Sequence, residues 1–252
     1  MSLSPDEFFP TPDPPLNNID PDILNFPHTD HPLSKDARQF LAHLNLIFRE
    51  TPEFSSQFTT STLQHLEFGQ CCTLVISDFT IPLTICNEED HTVQTGLCLL
   101  HPEVLVLLAL VENNTLTKGT WPEAQVVAGA IAAFQTNNER RKELKLKPLD
   151  AMTIPAITMT GSCPTFYLVP VMMELSDAVA TGQYPTTQTQ VSQCVTRSTK
   201  PLWSIRTGMD DKEYRQLALR CFLTFKSLVG THWKNTLEGM YVGSVNMSRP
   251  QC

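Results

Sequence analysis

Apolar residues first recur at helical spacing after Ser34, where Ala37, Phe40, Leu41, Leu44, Ile47 and Phe48 mark one face of a helix ending near Glu50, with Ser34 as its cap. Between Ser61 and Thr95 the period shortens. Runs rich in β-branched and apolar residues predict strands at Cys71–Ile76 and Phe79–Ile85, interrupted by Ser77 and Asp78 and closed by the polar stretch Asn87–His91. Val93–Leu100 and Val104–Val111 follow, joined at His101-Pro102-Glu103. The second of these runs is apolar at every position, the pattern of a strand covered on both faces.

Trp121-Pro122-Glu123 opens the next helix, with proline suited to the first turn and glutamate favoured at the positive end of the dipole. The body of this helix, AQVVAGAIAAF, is mostly small residues and can lie close against a sheet. Arg140–Lys147 carries five Lys and Arg and reads as a solvated helix end or loop. Ile154–Thr160 and Thr165–Val171, separated by Gly161-Ser162-Cys163-Pro164, predict a hairpin with glycine in the turn. A short helix over Glu174–Thr181 stops at Gly182. Thr187–Thr196 alternates as a strand exposed on one side, and Asp211–Val229 is an amphipathic helix expected to stop at Gly230. No internal repeat is visible.

A length of 252 residues fits one ordinary domain plus a tail. Residues 1–33 hold eight prolines and six acids without a Lys or Arg, which reads as an extended acidic arm whose apolar residues Phe8, Phe9, Ile23, Leu24 and Phe26 can dock. The expected division is therefore an arm at 1–33, an α/β domain at 34–233 and a loose tail at 234–252. The 18 Lys and Arg against 26 Asp and Glu give a net charge of −8, which disfavours nucleic acid as a partner. Eight cysteines show no framework spacing and read as reduced, buried thiols. The amino terminus lacks a secretory signal, and no apolar run is long enough to span a membrane, so a cytoplasmic or nuclear location is expected.

A buried strand that ends in an acidic residue and leads into a helix can hold a divalent metal, and Val104–Val111 delivers Glu112 in this way. Cleavage of a phosphodiester at such a site needs two carboxylates for Mg²⁺ and a lysine for the developing charge. From about Thr92 to Trp233 the chain resembles a large group of fungal (mushroom-type) proteins of unassigned role related to the PD-(D/E)XK nuclease-like superfamily. The resemblance is carried by VQTGLC (93–98), LVLLALVENN (105–114), PEAQVVAGAIAAFQ (122–135), IPAITMTGSCPTFYLVPV (154–171), AVATGQYP (178–185) and CFLTFKSLV (221–229). It implies a restriction-endonuclease-like mixed β-sheet core of order αβββαβ, flanked by helices.

In the resembled pattern the first stretch reads like QTDxC, the second ends in ExK, and a glutamine opens the following helix. Here the acid position is Gly96, the glutamate is kept as Glu112, the lysine position is Asn114, and the helix glutamine is Gln125. Relatives are also expected to carry a glutamate at the position of Gly129. Loss of one carboxylate removes much of the Mg²⁺ affinity, and loss of the lysine removes stabilisation worth about 10²–10³ in rate. The leading expectation is thus a degraded nuclease-like domain, with no metal or other cofactor, that binds or scaffolds a protein or small-molecule ligand. One alternative is a nuclease using Mg²⁺ or Mn²⁺ with relocated groups, Asp78 or Glu103 as second carboxylate and Lys118 as the cation. Another is different chemistry in the same cleft, acid–base or cyclisation of a small molecule with Glu112 as acid, which predicts an apolar pocket around Glu112 and Gln125.

Other candidates carry less. His28, His31 and Asp30 could clip a metal, but no second ligand pair stands at a recognisable spacing. Cys71-Cys72 lacks redox spacing and Cys163 lacks a base identifiable by motif. No phosphate-binding glycine loop, GxSxG elbow or HExxH helix occurs.

Overall fold

In chain order the elements are β1 (Ser2–Leu3), α1 (Pro5–Phe8), a 3-10 turn (Leu16–Asn18), α2 (Pro21–Asn25), α3 (Lys35–Ile47), α4 (Pro52–His65), β2 (Leu74–Ile85), β3 (Glu88–His101), β4 (Leu105–Glu112), α5 (Pro122–Glu143), β5 (Ala151–Thr160), β6 (Cys163–Met172), α6 (Met173–Thr181), β7 (Ser192–Val195) and α7 (Lys212–Tyr241). These come from a computed structural model that describes residues 1–9, 14–27, 31–47, 52–68, 73–101, 105–112, 122–196 and 208–241. The chain is mixed α/β. Seven strands form one sheet in the order β1-β7-β6-β5-β4-β3-β2. Only β4–β5 and β1–β7 pair in parallel, and α5 makes the crossover that a parallel β4–β5 pair requires.

The two faces of the sheet bury separate cores. On one face Leu97, Leu99, Ile157, Met159 and Phe166 pack against α3, α4, α7 and the amino-terminal segments. On the other, Cys98, Leu100, Ile154, Ala156, Tyr167 and Val169 pack against α5 and its small residues Ala130, Ala132 and Ala133. Phe166 is the hub of the first core, with its ring 4.9 Å from that of Phe225, 5.1 Å from Phe222 and 5.8 Å from Phe9.

Strands β2 and β4 and the segment just before β5 are pinned to α5 by side-chain carboxamides. The amide of Asn137 accepts from Val106 N–H (2.7 Å) and donates to Val106 C=O (3.0 Å). Gln135 holds Thr84 on β2 in the same two-point way (2.9 and 3.2 Å), and Asn138 holds Leu149 just before β5 (2.7 and 3.2 Å). Each carboxamide presents the donor–acceptor pair of a peptide group and so stands in for a neighbouring strand where the ladder stops.

Several expectations change, among them the strand expected over Thr187–Thr196, which is strand only over Ser192–Val195. The runs Cys71–Ile76 and Phe79–Ile85 are one continuous strand from Leu74, not two. The polar Asn87–His91 stretch is strand from Glu88 onward, because Cys86 and Asn87, both at positive φ (55° and 64°), form a two-residue hairpin turn. Helix α4, rich in Ser and Thr, carries no apolar stripe that predicts it; its buried Thr62 is satisfied locally by donating to Phe58 C=O at 2.9 Å. Gly230 does not end α7, which continues to Tyr241. A glycine there costs helix stability, about 1 kcal/mol, yet keeps its backbone hydrogen bonds, and Trp233 one turn on still packs against the core.

The first 33 residues also hold more regular structure than an extended arm. Ser4 and Glu7 form a capping box on α1, Asp20 caps α2 through Asp22 N–H, and β1 adds to β7. Phe8 and Phe9 are buried, and Arg215, itself fully buried on α7, donates to the carbonyls of Phe26 and, at 2.6 Å, Met209. Ser34 caps α3 as expected, accepting from Ala37 N–H at 3.0 Å.

Candidate functional site

Of the site positions read from the sequence, Gly96 and Glu112 stand on the neighbouring strands β3 and β4 near the end of their ladder, and Gln125 stands on the first turn of α5. Gly96 lies in β3, half-buried, between Thr95, which pairs with Phe79, and Leu97, which pairs with Ser77. Asp78 therefore stands across from Gly96. It is exposed and holds φ of 52°, a left-handed value in the middle of a strand. The burial pattern inverts at this level: Val75 and Leu97 face the α7 side, whereas Phe79, Ile81 and Val93 face the α5 side. One residue out of phase in each strand moves every later side chain to the opposite face. The buried Thr95 hydroxyl donates to Phe79 C=O at 2.9 Å and closes the irregular step.

Leu110 pairs with Leu97, so Glu112 ends β4 two residues further on, at the same end of the sheet, where its backbone pairs with Met159 of β5. Gln125 is exposed on the first turn of α5, and Gly129 is buried one turn later. Asn114, Glu103 and Lys118 lie outside the described residues, as do Cys71, Cys72, His28 and Asp30. Of the donors that a nuclease metal requires, the β3 position offers none, since glycine has no side-chain oxygen. The residues present at that position do not fit a two-carboxylate Mg²⁺ site.

Helix α5 borders a groove of about 450 Å³, with Glu123 at its edge and Leu83, Ile85, Ala124, Val127, Ala128, Ile131 and Val179 among its walls. It arises because the β2–β3 hairpin runs past the end of β4 and curls over α5, while α6 closes the third side. The hairpin is held there: Cys86 N–H donates to Val179 C=O (3.0 Å), Asn87 N–H to Ala180 C=O (2.6 Å), and Gly182, in left-handed conformation, lets α6 approach Cys86 closely. Glu123 also approaches buried Tyr167, whose phenol is held above its ordinary pKa first by burial, an effect that the hydrogen bond to Thr158 opposes and the nearby carboxylate reinforces.

At the tip of the same hairpin Glu88, Asp90 and His91 converge, their ligand atoms within 4.8 Å of one another and His91 Nε2 2.8 Å from Glu88. A bulge brings this about, since Leu83 pairs with His91 but Ile85 with Glu88. A second, polar pocket of about 280 Å³ lies between α3, α4 and β2, lined by residues including Gln39, His43, Gln64 and Ser77.

The remaining candidates resolve into structure. Arg140, Lys142 and Lys147 pair with Glu143, Glu139 and Asp150. His31 faces Asp22 at 3.5 Å. Cys98, Cys194 and Cys221 are buried thiols as expected, whereas Cys86 is exposed in its turn. None of the described helices is long and apolar enough to cross a membrane. The apolar pocket expected around Glu112 and Gln125 is matched by a groove whose described lining includes neither residue, and the carboxamides were not expected. The signal for the latter was three amide side chains, in QTNN, directly after the apolar run of α5 and before its charged end. No model of a known protein family matches the chain, and no curated protein matches it.

Proposed function

We propose that the chain is a nuclease-like α/β domain, of restriction-endonuclease-like core, that binds or scaffolds rather than cleaves. The run α4-β2-β3-β4-α5-β5, with β2–β3–β4 antiparallel and β4–β5 parallel, supports the αβββαβ core. The observation that carries the functional reading is Gly96: at the level of β3 where cleavage needs a carboxylate, the strand presents no side chain. The purified chain is expected to leave DNA and RNA intact in Mg²⁺ or Mn²⁺ over an extended incubation. Cutting that disappears in Glu112→Ala would overturn this reading.

A second reading, a nuclease with a relocated ligand, is favoured by Asp78. Its carboxylate sits on the strand beside the vacated position, in a backbone conformation that a surrounding structure must enforce. Under that reading cleavage is present and is lost in both Asp78→Ala and Glu112→Ala. Cleavage that survives Asp78→Ala excludes it.

A further inference from the structure

We infer that the groove between α5, the β2–β3 hairpin and α6 receives a basic amphipathic segment of a partner protein, with apolar side chains entering the groove and Lys or Arg side chains meeting carboxylates on its rim. This rests on the binding reading above and names the class of partner. The floor is apolar: Leu83 and Ile131 are 8% and 5% exposed, and Val127 and Val179 are half-buried. Ala128, where a larger side chain would fill the space, leaves the recess open. Its volume, about 450 Å³, suits a few apolar side chains entering from above.

The rim is acidic on two sides. Glu123 is exposed on the α5 side. On the hairpin side cross-strand neighbours share a face, so Glu88, opposite Ile85, and His91, opposite Leu83, lie on the side of the hairpin that carries the groove wall, beyond the lining itself, with Asp90 beside them and His91 Nε2 2.8 Å from Glu88. None of the described lining residues is basic. The net charge of −8 adds long-range attraction for a cationic segment. Because the hairpin is tied to α6 and Gln135, the groove is preformed, and little ordering cost falls on binding. The basic end of α5 offers no equivalent surface, since Arg140, Lys142 and Lys147 each pair with a nearby carboxylate.

The test uses the full chain and two labelled helical probe peptides of equal length, one of Leu and Lys and one of Leu and Glu, followed by fluorescence anisotropy at physiological salt. The Leu–Lys peptide is expected to bind at least about tenfold more tightly than the Leu–Glu peptide. Val127→Glu is the decisive variant: it adds negative charge, so diffuse electrostatic attraction would rise, whereas docking in the groove falls by about tenfold or more. Ala128→Leu, which fills the recess without charge, is expected to give the same loss and guards against a misfolded glutamate variant. Glu88→Gln with Glu123→Gln is expected to weaken binding several-fold and to flatten its salt dependence. Equal binding by both peptides, or Leu–Lys binding unchanged in Val127→Glu and Ala128→Leu, overturns the inference. So does a concentration-dependent dimer in sedimentation that Val127→Glu abolishes, which would give the groove to a second copy. These outcomes do not bear on whether the chain cleaves nucleic acid, whereas cleavage by the wild-type chain would remove the binding reading itself.

Discussion

Asp78 and Gly96 face each other across the β2–β3 ladder, between the Ser77–Leu97 and Phe79–Thr95 pairs, at the level where both strands exchange the faces they bury. The exchange lets the outer part of the hairpin cover α5 while the inner part packs under α7. Its cost falls on Asp78, whose φ of 52° is tolerated by Asp and Asn but strongly disfavoured for a β-branched residue. Asp78→Val is expected to lower stability by about 1–2 kcal/mol and Asp78→Gly to change it by less than about 1 kcal/mol, read from urea midpoints. A valine variant as stable as wild type would mean that the strand does not pass through the left-handed region.

The carboxamides of α5 make a graded prediction. Val106 and Asn137 are both fully buried, so Asn137→Leu leaves a backbone donor and acceptor without partners or water, at about 2–3 kcal/mol. Thr84, held by Gln135, is half-buried, and water can replace the lost amide; Gln135→Leu is expected to cost under about 1 kcal/mol. Equal losses in the two variants, measured by urea unfolding, would show that burial of the paired backbone does not set the cost.

The elements most legible in the sequence were those where one period ran unbroken and caps agreed with it. Ser34 before Ala37 and Phe40, Pro122-Glu123 before an apolar helix, and Gly182 after α6 each mark a boundary found in the fold. Legibility failed where a local irregularity reset the pattern. Ser77 and Asp78 look like a break between strands because their backbone switches the buried face, a change of phase that periodicity reads as an end. Helix α4 hid because buried Thr59 and Thr62 occupy positions where an apolar side chain is expected. For the site, the sequence put Gly96 and Glu112 on neighbouring strands and Gln125 at the start of the following helix, as found, but the groove depends on how far the hairpin overhangs β4, which no local pattern encodes.

Arg215 joins the two ends of the described chain. Its guanidinium is fully buried with carbonyls of Phe26, Met209 and Asp210 as partners, and burial pulls its pKa below the ordinary range despite the nearby Asp210 and Asp211. Removing it orphans buried carbonyls and frees the segment that carries Phe8 and Phe9. Arg215→Ala is expected to cost about 3 kcal/mol or more and to expose the first 33 residues to limited proteolysis well below the unfolding midpoint. Protection of that segment in a folded Arg215→Ala variant would show that Phe8 and Phe9 hold it without the arginine.

The buried thiols are expected to lower stability at alkaline pH. Burial pushes Cys98 from an ordinary value of 9.0 up to about 12 and Cys194 up to about 11. In the folded chain both stay protonated, while in the unfolded chain they ionise near 9, so above that pH the unfolded state holds fewer protons and stability falls. The stabilisation is intact below pH 9 and is lost as pH rises toward 11 and 12, with a slope approaching about 1.4 kcal/mol per pH unit for each thiol. Urea midpoints at pH 8, 9.5 and 10.5 are expected to drop over the last two values, and Cys98→Ala with Cys194→Ala to flatten that drop at some cost in packing. In parallel, Ellman's reagent at pH 8 is expected to label exposed Cys86 in the native chain and to reach Cys98 only on unfolding. An alkaline drop that is the same in the double variant would assign it to other buried groups, Tyr214 and Tyr167, whose phenols burial also pushes up.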